Sequence, residues 1–216
     1  MSDFAELRER MVERQIAARG IRDPRLLEAL RQVPREEFVS PEYGRQAYGD
    51  HPLPIEAGQT ISQPYIVALM ISAAGIGPGD RVLEVGAGSG YAAAVMSRVA
   101  GEVIAIERKP ELVAIARERM ERLGYGNVEI VEGDGTRGWP DGAPFDAILA
   151  AASGSHVPQP LVDQLAPAGR LVMPVGGALW VQQLVKVTKQ ADGSLETEDL
   201  GGVRFVPLIG EEGWDA

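Results

Sequence analysis

The stretch RVLEVGAGSGY, residues 81–91, is where chemistry is most concentrated in this chain: an apolar run ends in Gly86, Gly88 and Gly90 and then opens a helical pattern. Glycines at this spacing let the backbone turn sharply and approach a ligand closely, beside the positive end of the following helix. A glycine-rich first turn serves nucleotides, flavins and methyl donors alike. Two details narrow it. The spacing is G-x-G-x-G followed by Tyr91, so the third glycine of the dinucleotide fingerprint is missing and a pyrophosphate ligand is disfavoured. Glu84 precedes the loop, a poor neighbour for phosphates but a good one for a cation such as the ammonium and sulfonium of S-adenosylmethionine. Ala87 and Ser89 complete the candidate cradle.

Two more acidic positions fall in register with that loop. Glu107, followed by Arg108, ends the next apolar run about twenty residues on, where a carboxylate can accept from both hydroxyls of a ribose. Asp134 stands in VEGDGTRGW after the third run, placed to accept from an exocyclic adenine amine, with Gly135 leaving room for the ring. A solvated carboxylate at one strand end is ordinary. Three of them beside a glycine loop form a constellation.

The elements that must position these residues alternate short β-branched runs with helical runs, the pattern of βαβ units around a parallel sheet. Strands are expected at residues 81–85, 103–107, 128–131, 147–150 and 170–174, and helices at 65–74, 90–99, 110–123 and 159–165. Before them, Phe4, Leu7 and Met11 recur at helical spacing, and Leu26, Leu27 and Leu30 restart the pattern after Asp23-Pro24, which reads as a helical cap. Residues 48–64, YGDHPLPIEAGQTISQP, have no sustained period and read as an extended functional loop. Two runs flanking the turn text ADGS, within residues 180–206, predict an antiparallel ribbon at the sheet edge.

Composition bounds the function. The chain has 216 residues, 45% of them hydrophobic, with a formal charge of -10 that argues against general binding to phosphate backbones. Without cysteine it can hold neither a disulfide nor a Cys-based zinc site, and His51 and His156 are the only imidazoles, so no metal is expected. The charged N-terminus and the lack of a spanning apolar run predict a cytoplasmic protein. His51 reads as capping local backbone, and Trp139, Trp180 and Trp214 read as packing residues.

The segments VPREEFV, LPIEAGQTISQPYIVALM, VLEVGAGSGYAAAV, GDGTRGWPDGAPFDAIL and VRFVPLIG resemble the protein-L-isoaspartate (D-aspartate) O-methyltransferase family along most of the chain. GQTISQP is the most specific, since generic methyltransferases lack it. The resemblance implies an α/β, Rossmann-like class I S-adenosylmethionine-dependent methyltransferase fold. This is a mostly parallel sheet with helices on both faces, an N-terminal helical cap and antiparallel C-terminal edge strands. It is expected as a single methyltransferase domain over 1–216, with cap and substrate loop in 1–64, cofactor-binding core in 65–175 and C-terminal strands in 176–216.

It further implies that Ser62 is the active-site residue, contacting the substrate carboxylate. The residues matching Glu107 and Asp134 would hold ribose and adenine, and the glycine loop the amino-acid part of S-adenosyl-L-methionine, which leaves as S-adenosyl-L-homocysteine. Thr60, Ile61 and the loop amides are candidates to complete a carboxylate pocket. Arg204 and Phe205, in RFVPL, match a stretch near the substrate peptide; an exposed edge strand there would bind a peptide by strand addition. Ser62 also suits a helix N-cap, and the two roles are compatible. The family commonly has Thr-Ala-Ala where this chain has Ala151-Ala152-Ser153, which removes a hydroxyl that Ser153 or Ser155 would have to replace.

The reaction needs no strong base, because a carboxylate is ionised and nucleophilic at neutral pH, so positioning and desolvation suffice. The expected partners are isoaspartyl-containing proteins and peptides, with neither nucleic acid nor membrane, and a monomeric state. Competing readings are a same-fold methyltransferase acting on a dedicated peptide, a small molecule or RNA, and a non-enzymatic scaffold, which would be expected to have lost Ser62 or the acidic residues.

Overall fold

The computed structural model describes residues 3–177 and 180–215. Five parallel strands form the centre: β3 (Arg81–Val85), β4 (Glu102–Glu107), β5 (Val128–Glu132), β6 (Phe145–Ala150) and β7 (Leu165–Val175). Two antiparallel strands, β8 (Gln182–Lys189) and β9 (Leu195–Val203), extend one edge and give the order β5-β4-β3-β6-β7-β8-β9. Chain direction across the sheet reverses between β3 and β6, where a crevice opens beyond the carboxyl ends of open parallel sheets.

Period-2 alternation sorts the central strands onto two faces. Val82, Val103, Ala105, Ala147, Leu149 and Val172 join one core cluster, while Leu83, Ile104, Ile106, Ile148, Leu171 and Met173 join the other. Both faces are therefore apolar, and each fully buried Val, Leu, Ile or Met side chain contributes about 1.5–3 kcal/mol. On the first face lie α2 (Pro24–Gln32), α3 (Pro64–Ala74), α4 (Tyr91–Ser97) and α5 (Pro110–Leu123). The second is covered by α6 (Gln159–Asp163) and the 3₁₀ turns at 135–137 and 140–142. Arg170, on β7, donates to the last carbonyls of α3, Ala74 at 2.7 Å and Gly75 at 2.9 Å, so a cation closes that helix where its dipole is negative.

The cap begins with α1 (Asp3–Met11), which widens into a π turn at Val12–Ile16. In α2, Asp23 caps the helix, its carboxylate accepting from Arg25 N at 2.9 Å with Pro24 in the first turn. Arg8 staples the cap together, donating to the Tyr48 hydroxyl at 2.8 Å, the Arg31 carbonyl at 3.1 Å and Glu36 at 3.0 Å. Tyr48 itself donates to Glu36.

Several expectations need correction. The loop 48–64 contains a small antiparallel hairpin, β1 (Leu53–Pro54) with β2 (Thr60–Ile61), and Leu53 pairs with Ile61. Two-residue strands carry no readable period. The fourth expected helix stops at Asp163 because Leu165 already pairs with Phe145 as the start of β7. RFVPL is not an edge strand: β9 ends at Val203, and the chain then crosses the top of the sheet with one isolated bridge, Ser153 to Pro207.

Candidate active site

The hairpin β1–β2 folds over the glycine loop at the end of β3. Ile55 lies so close that a Cβ on Gly88 would meet its Cδ1 at 3.5 Å. Arg119, buried on α5, ties the two together, donating to Glu56 of the hairpin at 3.0 Å and to the Ser89 carbonyl at 3.4 Å. Beneath the hairpin lies a cavity whose wall includes Thr60, Ile61, Ser62, Glu84, Gly86, Ala87, Gly88, Ser89, Tyr91, Ala151 and Phe205. An adjoining groove runs over Gly86, Gly88, Glu107, Arg108 and Gly135, and is roofed by residues 206–209. A third, outer groove is lined by Pro52, Ile66, Val181 and Arg204, and it shares Thr60, Ser62 and Phe205 with the inner cavity. These three residues form the neck where the inner cavity and the outer groove meet.

Electrostatics divides the walls. Glu84 is 2% exposed, and its Oε2 is buried without a hydrogen-bond partner among the described residues. Burial, and secondly the Glu107 charge, push its carboxyl well above the usual range. A buried carboxylate with an open lone pair fits a cationic ammonium, which supplies the counter-charge the fold leaves out. Glu107 is held by two backbone amides, Gly88 N to Oε2 at 2.9 Å and Lys109 N to Oε1 at 3.0 Å. Each of its oxygens keeps a lone pair for a hydroxyl at the groove floor. Ser62 is half-buried, and its hydroxyl makes no hydrogen bond to any described residue.

Comparisons decide what this arrangement belongs to. The family model described as protein-L-isoaspartate(D-aspartate) O-methyltransferase matches residues 6–213. The chain is 56% identical over 207 residues to protein-L-isoaspartate O-methyltransferase 2 of Pelobacter propionicus, covering 96% of this chain and 92% of that one. The chain belongs to the protein-L-isoaspartate (D-aspartate) O-methyltransferase family. It is therefore an S-adenosylmethionine-dependent carboxyl methyltransferase. A solved protein-L-isoaspartate O-methyltransferase superposes with a TM-score of 0.86 at 32% identity, covering 95% of this chain, which spans 66% of that longer one. A Plasmodium falciparum structure described as a protein-L-isoaspartate O-methyltransferase in complex with S-adenosyl-L-homocysteine superposes with a TM-score of 0.80 at 29% identity, covering 94% of this chain and 98% of that one.

In this methyltransferase most of the site residues expected from sequence come together, and the exceptions have physical reasons. Gly90 lies outside the cavity and groove walls: its φ of +87° starts α4, and a Cβ there would lie 2.8 Å from Met120 Cε, so it serves the helix turn and its packing on α5. Asp134 does not line the groove, although Gly135 does. Its Oδ1 accepts from Thr136 N at 2.9 Å and Thr136 Oγ1 at 2.7 Å, and its Oδ2 accepts from Glu211 N at 2.8 Å. Burial raises this carboxyl, but the bonds from Glu211 and Thr136 outweigh it and hold the group below its ordinary value. The side chain anchors the C-terminal tail, leaving one lone pair on Oδ2. Gly135 is needed for close approach, since a Cβ would sit 2.5 Å from Val85 Cγ1.

The N-cap of α3 is Gln63, one residue beyond Ser62, so the serine is not the helix cap. Neither Ser153 nor Ser155 replaces the hydroxyl missing at Ala151. Ser153 is fully buried and donates to the Val206 carbonyl at 3.3 Å, while the Ser155 hydroxyl meets exposed His156 at 3.0 Å. Phe205 reaches the neck, and Arg204 the outer groove, through loop geometry: buried Gln182 accepts from Phe205 N at 2.9 Å, and Ser153 N donates to the Val206 carbonyl at 2.8 Å. Three residues had no site role in the sequence reading: Tyr91 and Met70, which line the inner cavity, and Gln182, which holds Phe205. Trp180 is 77% exposed and is not a packing residue, whereas the Trp214 indole donates to the Ser153 carbonyl at 2.8 Å. His51 does bond locally, to the Pro52 carbonyl at 3.1 Å.

Proposed function

We propose that this chain methylates the free carboxylate of L-isoaspartyl, and secondarily D-aspartyl, residues in damaged proteins, with Ser62 as the group that contacts that carboxylate. The observation that carries the proposal is the neck. Ser62 presents its unengaged hydroxyl where the inner cavity, with Glu84 and the glycine loop, meets the outer groove with Arg204 and Phe205. When bound, S-adenosyl-L-methionine supplies the electrophilic methyl group. Glu84 and the Ser89 amide would hold its amino-acid part against the surface of Gly86, Ala87 and Gly88, whose own amides are spent on the Ile106 carbonyl and on Glu107. Glu107 and Arg108 would hold the ribose and Gly135 the adenine, with Asp134 limited to its one open lone pair.

The protein's own task is orientation and exclusion of water. The Ser62 hydroxyl, with Thr60 beside it, donates to one carboxylate oxygen and turns the other toward the cavity. Ile61, Val67, Met70 and Phe205 keep the cavity wall apolar, so the carboxylate loses water as it enters. No base is required, because the reacting group is already anionic. The ester so formed is activated for closure to a succinimide, the neighbouring backbone amide nitrogen attacking its carbonyl as methanol leaves, and hydrolysis of the ring by water returns a fraction of the substrate to normal aspartate.

The outer groove supports a peptide substrate laid across the protein surface. No helix among the described residues is long and apolar enough to cross a membrane. We read the chain as one functional unit, a cytoplasmic monomer that acts on proteins without nucleic acid or membrane. The test is transfer of labelled methyl to a matched pair of peptides, one isoaspartyl and one aspartyl, scored as base-labile ester. Labelling of the isoaspartyl peptide alone is expected. Labelling of neither, with S-adenosyl-L-homocysteine still bound, would overturn the substrate assignment in favour of a dedicated peptide or small molecule.

A further inference from the structure

Arg35 lies on the 3₁₀ turn Arg35–Phe38 and is fully buried. Among the described residues no carboxylate approaches it; the titratable neighbours that act on it are Tyr91 and Tyr48. Its Nε donates to the Ala47 carbonyl and its Nη2 to the Ser62 carbonyl, each at 2.7 Å. Its Cζ sits 4.6 Å from the centre of the Tyr91 ring, and Nη1 is buried without a hydrogen-bond partner. A lone cation in an apolar interior is unfavourable, and an aliphatic side chain of similar volume would fill the space at lower cost.

What Arg35 touches gives the charge a use. Ser62 and Tyr91 are both members of the inner cavity wall, and among the described residues Glu84 is the only carboxyl or cationic side chain on that wall. An incoming carboxylate therefore meets a wall that carries no cationic side chain, with a buried positive charge behind two of its residues. The guanidinium fork is rigid, so donation to the carbonyls of residues 47 and 62 fixes the spacing of the two ends of the substrate loop.

We propose that Arg35 is a positioning residue for methyl transfer: by holding the Ser62 carbonyl it sets the rotation of Ser62, and so directs the hydroxyl at the substrate carboxylate. This inference rests on the role assigned to Ser62. Arg35→Lys keeps the charge and loses the fork. It should lower kcat for an isoaspartyl peptide by about tenfold to a hundredfold, the scale of a small misplacement at a reacting group. The Kd of S-adenosyl-L-homocysteine should stay within about threefold.

The deciding comparison is a double-mutant cycle of Arg35→Lys with Ser62→Ala. If Arg35 acts through the hydroxyl, the double variant is no slower than Ser62→Ala alone, within about threefold. Losses that multiply would overturn the inference while leaving the role of Ser62 intact. Full activity in Ser62→Ala would instead overturn the role of Ser62, and the inference with it. If the Arg35 variant does not fold, the wild-type enzyme carries the test through the ¹⁵N-arginine side-chain resonances of its complex with S-adenosyl-L-homocysteine. The Arg35 Nε–H signal should shift on adding the isoaspartyl peptide and not the aspartyl one, and an unmoved signal would overturn the proposal.

Discussion

Glu84→Gln is the perturbation whose two effects have opposite signs. In the free enzyme the carboxyl is buried, raised by desolvation and by Glu107, and left with an open Oε2. Replacing it with a neutral isostere removes that burden, so the free protein should melt at the same temperature or higher. Cofactor binding should suffer. A carboxylate and an ammonium about 4 Å apart attract by about 4 kcal/mol at an effective dielectric of 20. Part of that is spent ionising the buried group, which leaves a net loss of about 2–3 kcal/mol, or roughly 30- to 150-fold in Kd.

The sign with pH follows from the same raised value. A carboxyl raised in the fold stabilises the free protein below its ordinary value and loses that contribution as pH rises through the folded one. Binding a cation reverses the shift and releases the proton. Affinity for S-adenosyl-L-homocysteine should therefore rise with pH while Glu84 is protonated in the free enzyme, and Glu84→Gln should flatten that dependence. Calorimetric titrations in buffers of different ionisation enthalpy measure both quantities. A variant that binds within threefold of wild type, or that is destabilised when free, would refute the assignment of Glu84 to the ammonium.

Gly90→Ala should lower Tm by about 2–8 °C, because a left-handed alanine costs about 1–2 kcal/mol and Met120 can move aside; S-adenosyl-L-homocysteine affinity, read by calorimetry, should change less than threefold. Gln182→Leu removes the acceptor of Phe205 N, so the KM for an isoaspartyl peptide should rise about fivefold or more with kcat nearly unchanged. Asp134→Ala removes three bonds that hold Thr136 and the tail, and amides at residues 208–214 should exchange about tenfold faster or more in hydrogen-exchange mass spectrometry.

The parallel core was legible because its strands are buried on both faces and punctuated by glycine, so β3 was placed at Arg81–Val85 and α5 at Pro110–Leu123 with the bounds the structure has. The small hairpin at Leu53–Ile61 was not, since β1 and β2 each span only two residues. RFVPL reads as a strand by composition. Its conformation is instead set by contacts remote in sequence, from Gln182 and Ser153, and Pro207 has no amide to donate to a ladder. Asp134 misled for the same reason, because its partner Glu211 lies 77 residues away. Arg35 was visible only inside the family segment VPREEFV, with no role attached, since local pattern does not distinguish a buried arginine from a solvated one.

The central claim is that this chain acts on the misplaced carboxylate of isoaspartate. Its most direct test is to incubate an isoaspartyl peptide with the enzyme and S-adenosyl-L-methionine and follow the products by reversed-phase chromatography with mass detection. The isoaspartyl peptide should be lost through its methyl ester and succinimide, the aspartyl form should accumulate over repeated turnover, and the aspartyl peptide itself should not be methylated. Persistence of the isoaspartyl peptide with cofactor bound, or equal methylation of both peptides, would contradict that claim.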